Sequence, residues 1–158
     1  MEDIFIEKYK KYHNDIYRIA YSYTLNIQDS EDILQKTFIK FYKNINKLKK
    51  CEDEYIKKWL FKVTVNETKD FLKSFWRNHK IDHINIEDKK YTDNLQYKSE
   101  LLTALNNTDK KYRIPFYLYY YEGYEIKEIA NIMNLSESAI KSRLSRVRNK
   151  LKTELEDN

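Results

Sequence analysis

Apolar side chains recur at steps of three and four along most of the chain, the period of a helix buried on one face. Phe5, Tyr9, Tyr12, Ile16, Ile19, Ala20 and Tyr23 form the first stripe, which stops near Leu25 and Asn26. Asp29 and Ser30 then offer side-chain oxygens to cap a new helix, with Glu31 and Asp32 suited to its positive end. That second helix carries Ile33, Leu34, Phe38, Phe41 and Ile45. A polar stretch, residues 46–54, breaks the period. A third helix is predicted from about Tyr55 to Arg77, with Ile56, Trp59, Leu60, Val63, Phe71 and Leu72 as its apolar set.

Residues 79–98 have weak periodicity and many polar groups, and read as a linker. Leu101, Leu102 and Leu105 open a second helical unit. An aromatic-rich helix, Tyr112 to Tyr121, follows and stops at Gly123, where a residue without Cβ suits a left-handed helix end. Two short helices are then predicted, Glu125 to Met133 and Glu137 to about Leu155. The first buries Ile126, Ile129, Ala130 and Met133; the second buries Ala139, Ile140, Leu144, Val147 and Leu151. Asn134 falls where a left-handed residue is needed, Leu135 plugs the space between the helices, and Ser136 caps the second. The pattern predicts an all-α fold of two small helical bundles, 1–78 and 99–158, the second containing a helix-turn-helix.

Composition supports this picture. One Gly and one Pro in 158 residues leave few turn-makers. Apolar residues make up 41%, enough for packed cores. The single Cys51 excludes an internal disulfide, and no Cys/His set has metal-ligand spacing, so no metal and no cofactor is expected. His13, His79 and His83 lack any nucleophile partner, and an enzyme has no support. The first residues, MEDIFIEKYKKY, are too charged for a signal peptide, and no apolar run reaches the roughly 18 residues of a membrane span. A cytoplasmic location is expected.

The net charge, +5, matters less than its placement. From Lys141 to Lys152 there are six basic residues (Lys141, Arg143, Arg146, Arg148, Lys150, Lys152) and no acid. In a helix-turn-helix the second helix enters the major groove, where Arg pairs with guanine and Lys and Ser hold phosphates. Lys141, Arg143 and Arg146 are expected to carry much of the binding, with Ser142 and Ser145 close to DNA. A solvated basic helix over a buried seam is the plainer reading of the charge run alone.

The segments Glu122–Ala130, Met133–Ser136 and Ala139–Arg148 (EGYEIKEIA, MNLS, AIKSRLSRVR) resemble region 4 of extracytoplasmic-function (ECF) sigma factors. Two departures stand out: Glu125 replaces the usual Ser or Thr cap, and Asn134 the usual turn Gly, each at some cost in stability. Asp29–Phe41 (DSEDILQKTFIKF) and Trp59–Lys73 (WLFKVTVNETKDFLK), with Tyr17-Arg18-Ile19-Ala20, resemble region 2 of the same family. The resemblance spans nearly the whole chain except the linker.

That resemblance implies roles. Region 2 (1–78) binds core RNA polymerase through Asp29, Asp32 and Gln35, two of which also suit helix capping. Its last helix holds the non-template single strand of the melted minus-10 element through Lys58, Lys62, Lys69, Lys73 and Arg77, a positive track for a phosphate backbone, with Asn66 and Asp70 making either DNA-side or structural hydrogen bonds. The loop near Lys47–Tyr55 captures an extruded base, although its acids Glu52, Asp53 and Glu54 repel phosphates. Region 4 (99–158) binds the minus-35 element as duplex through Ser138, Lys141, Ser142, Arg143, Ser145, Arg146 and Arg148. An anti-sigma factor is an implied partner; a small-molecule substrate is not. A stand-alone helix-turn-helix regulator is the alternative, and an adaptor binding through the Tyr117–Tyr121 aromatics a third reading.

Overall fold

The computed structural model describes residues 1–78 and 107–156; the predicted linker 79–98 and Leu101, Leu102 and Leu105 lie outside them. The chain divides into two compact units, Met1–Asn85 and Ile86–Asn158. The described residues of the first form α1 (Glu2–Thr24), α2 (Ile27–Leu48) and α3 (Asp53–Asn78). Those of the second form α4 (Lys110–Phe116), a π-helical turn (Tyr117–Tyr121), α5 (Ile126–Met133) and α6 (Glu137–Glu156). No strand occurs among the described residues, and the fold is all-α.

In the first unit the three helices pack mutually, and the predicted stripes are largely the buried ones. The differences are local. Tyr17 and Tyr21 are buried on α1, while Tyr9 and Phe5 stand at the edge of the core. Tyr9 and Phe5 close over Phe38, with ring centroids 4.8 and 6.0 Å away. On α3 the inner face is Ile56, Leu60, Phe61, Thr64, Val65 and Thr68, whereas Trp59 is half-buried against Phe41. A stripe with threonines in it carries a weak apolar period, so its axis is easily misplaced by one residue. These hydroxyls are accommodated by bonds to their own helix: Thr64 donates to the Leu60 carbonyl at 2.7 Å and Thr68 to that of Val65 at 2.6 Å. The buried Glu67 is neutralised by an ion pair with Lys40 of α2.

Helix α2 starts three residues earlier than Asp29–Ser30 would set it. The cap is Asn26, whose Oδ1 accepts from the Asp29 amide at 2.9 Å. Leu25 reverses the chain in the left-handed region, φ 51°, leaving Asn26 extended and free to cap. Ser30 is fully buried, donating to the Asn26 carbonyl at 2.6 Å.

The turn between α2 and α3 is also shorter than the polar stretch suggests. Asp53 and Glu54 already belong to the first turn of α3, where negative charge suits the helix end. Asp53 ties that turn to α1. It accepts from Lys8 Nζ at 2.7 Å, from Tyr12 Oη at 2.5 Å, and from Lys11. Lys11, Lys8 and Tyr12 together hold the Asp53 carboxyl well below the usual carboxylate range. Burial, and then the Asp53 carboxylate itself, push the Tyr12 phenol up.

In the second unit the core gathers Ile114, Phe116, Leu118, Ile129, Ile132, Met133, Ile140, Leu144, Val147 and Leu151. The predicted helix Tyr112–Tyr121 is two pieces. Asp109 is the residue before α4, and Pro115 sits inside that helix. Proline has no N–H to give to the carbonyl four residues back, that of Lys111. Arg143 of α6 supplies the missing donor, its Nη1 lying 3.1 Å from that oxygen. Beyond Pro115 the helix widens into the π turn. Gly123 then reverses the chain at φ 73°, in the left-handed region, as predicted.

Two outcomes are expected. Asp53 has a folded-state pKa below its unfolded value. Its contribution to stability is therefore complete above the ordinary range, near ~3.9, and is lost as pH falls through that range toward the folded value. Asp53→Asn should cost about 1 kcal/mol at neutral pH, the site being partly solvent-screened. The gap to wild type should close in acid, as read by urea unfolding followed by circular dichroism. Arg143→Ala should cost about 1 kcal/mol by the same assay. In a Pro115→Ala background, where residue 115 regains an N–H for the Lys111 carbonyl, that cost should shrink; equal costs in both backgrounds would show that the carbonyl does not depend on Arg143.

Candidate nucleic-acid interface

The helix-turn-helix is built from α5, the turn at 134–136 and α6. Glu125 does not leave α5 uncapped, because Glu128 Oε2 accepts from the Glu125 amide at 3.0 Å. Asn134 takes up the left-handed conformation, φ 53°, that the turn requires, and the Leu135 amide then reaches back to the Ala130 carbonyl at 3.0 Å. Ser136 Oγ accepts from the Ala139 amide at 3.1 Å and starts α6. Glu128 thus satisfies the amide at the start of α5, and Asn134 adopts the left-handed turn without a glycine.

With Ile140, Leu144, Val147 and Leu151 buried, α6 turns two polar flanks outward. Ser138, Lys141, Ser142 and Ser145 are exposed on one. The other lies against α4 and carries Arg143, Arg146 and Lys150, spaced three and four apart. Arg143 is half-buried on the Lys111 carbonyl, Arg146 Nη1 donates to Tyr112 Oη at 3.0 Å, and Lys150 Nζ donates to the Asn107 carbonyl at 2.7 Å. Arg148 is exposed, with its guanidinium 5.9 Å from the centre of the Tyr119 ring. The structure therefore brings all seven duplex-binding candidates onto one helix, but gives Arg143 and Arg146 bonds within the fold.

On α3, Lys62, Asn66, Asp70 and Lys73 are exposed, and Lys58 and Lys69 half-exposed. Spacings of three and four put Lys58, Lys62, Asn66, Lys69 and Lys73 on a common side, away from the Leu60–Val65 seam. The Arg77 side chain lies outside the described residues. The loop that was expected to take an extruded base reduces to Lys49–Glu52, because Asp53 is engaged with α1 and Glu54 is helical. Cys51 stands half-buried in that turn.

On α2, Asp32 and Gln35 are exposed and Asp29 is half-buried, with its carboxyl pushed up by burial and then by Asp32. The same stripe continues into Ile39 and Tyr42, 53% and 54% exposed, which sequence reasoning missed. Their signal was present: they follow Asp32 by seven and ten residues, on the turn spacing of one helix face. Ile39 and Tyr42 thus set exposed apolar groups beside the exposed Asp32 and Gln35.

Among the described residues no cluster of three or more His, Cys, Asp or Glu side chains could hold a metal ion. No helix there is long and apolar enough to cross a membrane.

Residues 9–78 match the family model of sigma-70 region 2, and residues 98–151 that of sigma-70 region 4. The ECF RNA polymerase sigma factor SigM of Bacillus subtilis is 32% identical over 157 residues, covering 92% of this chain and 91% of its own. The RNA polymerase sigma factor SigV of the same organism is 30% identical over 133 residues, covering 84% and 79%. Among solved structures, the sigma factor RpoE of Bartonella quintana, in complex with the anti-sigma factor NepR, is similar with a TM-score of 0.76 and 23% identity, covering 99% of this chain and 98% of its own. CnrH, in complex with the cytosolic domain of CnrY, has a TM-score of 0.69 at 20% identity, covering 100% and 91%. The last two likenesses show the fold.

Proposed function

The chain belongs to the extracytoplasmic-function sigma factors of RNA polymerase, and from that premise we propose how its two units divide promoter recognition. The first unit docks on core polymerase through the outer stripe of α2: Asp29, Asp32 and Gln35, extended by Ile39 and Tyr42. It also holds the non-template strand of the opened minus-10 element along α3, through Lys58, Lys62, Asn66, Lys69, Lys73 and Arg77, with Asp70 offering an acceptor to a base amino group. Successive lysines at helical spacing follow a phosphate backbone without reading sequence. The second unit binds the minus-35 duplex with α6 in the major groove. Ser138, Lys141, Ser142 and Ser145 face the groove, Arg146 and Arg148 flank it, and Arg143 supports them from its anchor on α4.

The observation that carries this reading is the order of the two matched regions, each presenting an outward polar helix face over a buried seam. A stand-alone helix-turn-helix regulator is not favoured, because residues 9–78 match region 2 rather than a ligand-sensing or dimerising bundle. The chain acts in the cytoplasm, where the polymerase is, and works by recruitment, with no covalent step of its own. An anti-sigma factor holds it inactive; one protein of similar fold, RpoE, is a sigma factor solved with an anti-sigma factor, and another, CnrH, was solved with the cytosolic domain of CnrY.

The test is co-elution with sigma-free core polymerase on size exclusion, followed by run-off transcription from a genomic fragment library. Co-elution with new specific transcripts is expected. Asp32→Ala with Tyr42→Ala should weaken core binding about tenfold while leaving duplex binding intact. Lys62→Ala with Lys73→Ala should keep core binding and lower the salt dependence of single-strand binding by about 0.7 per lysine. Separation from core, with a duplex shift by a dimer, would replace this reading with the regulator.

A further inference from the structure

The flank of α6 that lies against α4 is more than a packing seam. Tyr112 is half-buried, its ring packed on Phe116, Val147 and Leu151, while its hydroxyl emerges at the surface beside the exposed Arg146. Arg146 Nη1 donates to that hydroxyl at 3.0 Å. The exposed Lys111 holds its ammonium 5.1 Å from the centre of the same ring. A guanidinium has five N–H donors in a planar fork, and one bond to a phenol oxygen fixes the plane without exhausting the fork. The phenol, accepting from Arg146, still has its own O–H to donate. Arg146, and then Lys111, pull the Tyr112 pKa down, which makes that O–H a stronger donor.

Two cations and a polarised hydroxyl therefore meet at one edge of the helix-turn-helix, and α6 has no acid from Lys141 to Lys152 to oppose them. Charged and hydroxyl donors converging in this way suit the tetrahedral oxygens of a phosphodiester.

We propose that Lys111, Tyr112 and Arg146 form a backbone-phosphate clamp, in which Tyr112 positions the Arg146 guanidinium and the DNA footprint of the second unit extends from α6 onto α4. This rests on the reading of α6 as the duplex-binding helix. Tyr112 is here a positioning residue whose hydroxyl also donates to the phosphate. The clamp is sequence-independent, so it contributes equally to every promoter and sets affinity rather than choice.

The experiment uses the full chain and a fluorescently labelled mixed-sequence DNA duplex, titrated by anisotropy over a series of KCl concentrations. Tyr112→Phe keeps the ring on Phe116, Val147 and Leu151 and removes only the hydroxyl. It should weaken binding about three- to tenfold, the loss of one or two hydrogen bonds to a charged partner, with an unchanged thermal midpoint. In an Arg146→Ala background the same change should have far less effect, whereas with Lys141→Ala it should add. Lys111→Ala should lower the slope of log affinity against log salt by about 0.9. The proposal is overturned if Tyr112→Phe binds as well as or better than wild type while Lys141→Ala and Arg146→Ala bind weakly; the tyrosine then holds the arginine back or merely packs. An unchanged salt slope in Lys111→Ala also overturns it. If Lys141→Ala and Arg146→Ala bind like wild type, the underlying assignment of α6 fails instead.

Discussion

Burial of one stripe on each helix fixes what the opposite stripe can do. Once Ile56, Leu60, Phe61, Thr64, Val65 and Thr68 enter the first bundle, the helical period leaves Lys62, Asn66 and Lys73 facing out. Once Ile140, Leu144, Val147 and Leu151 enter the second, Ser138, Lys141, Ser142 and Ser145 face out. The same rule aligns Asp32, Gln35, Ile39 and Tyr42 on α2. Each outward face has its own chemistry: cations at intervals of three and four on α3, hydroxyls and a cation on α6, and mixed polar and apolar groups on α2.

Polar side chains are placed inside each unit to keep these faces in register. Asp53 draws α1 onto the first turn of α3 by accepting from Lys8, Lys11 and Tyr12. Lys40 and Glu67 join α2 to α3 through a bond between a surface cation and a buried carboxylate. Arg143 joins α6 to α4 through a carbonyl that Pro115 has left without its helical donor. In each case a charged group bridges two helices where an apolar contact would slide. Directional bonds of this sort add modest net stability, and their value lies in fixing rotation and translation along a helix pair.

Most of the helix layout was legible in the sequence because apolar spacing, a left-handed Asn134, a capping Ser136 and a helix-ending Gly123 are local signals. What was not legible depends on partners distant in the chain. Asn26 outcompeted Asp29 and Ser30 as a cap because Leu25 takes the left-handed turn, which a leucine does not advertise. The α3 stripe was displaced because buried threonines look polar in a sequence yet satisfy themselves on their own helix. The break of the aromatic helix into a π turn follows from Pro115, but the bond by which Arg143 supplies the missing donor joins residues 32 positions apart and could not be read from either neighbourhood. The candidate sites were legible as helix faces, while the engagement of individual cations, Arg143 and Lys150 above all, required the packed structure.

Arg143 and Lys150 grip carbonyls of the chain itself, and main-chain oxygens are present whatever side chain stands at their positions. The Lys150 attachment of α6 is therefore indifferent to the side chain at Asn107, while that of Arg143 depends on Pro115 leaving the Lys111 carbonyl without its helical donor. Lys141, Ser142 and Ser145 occupy a different register and bear none of that attachment. Under the duplex-binding role proposed for α6, substitutions at these three positions change contacts to DNA while the helix stays seated. A scaffold that separates grip from readout in this way can diversify its targets by few steps, each passing through a folded intermediate.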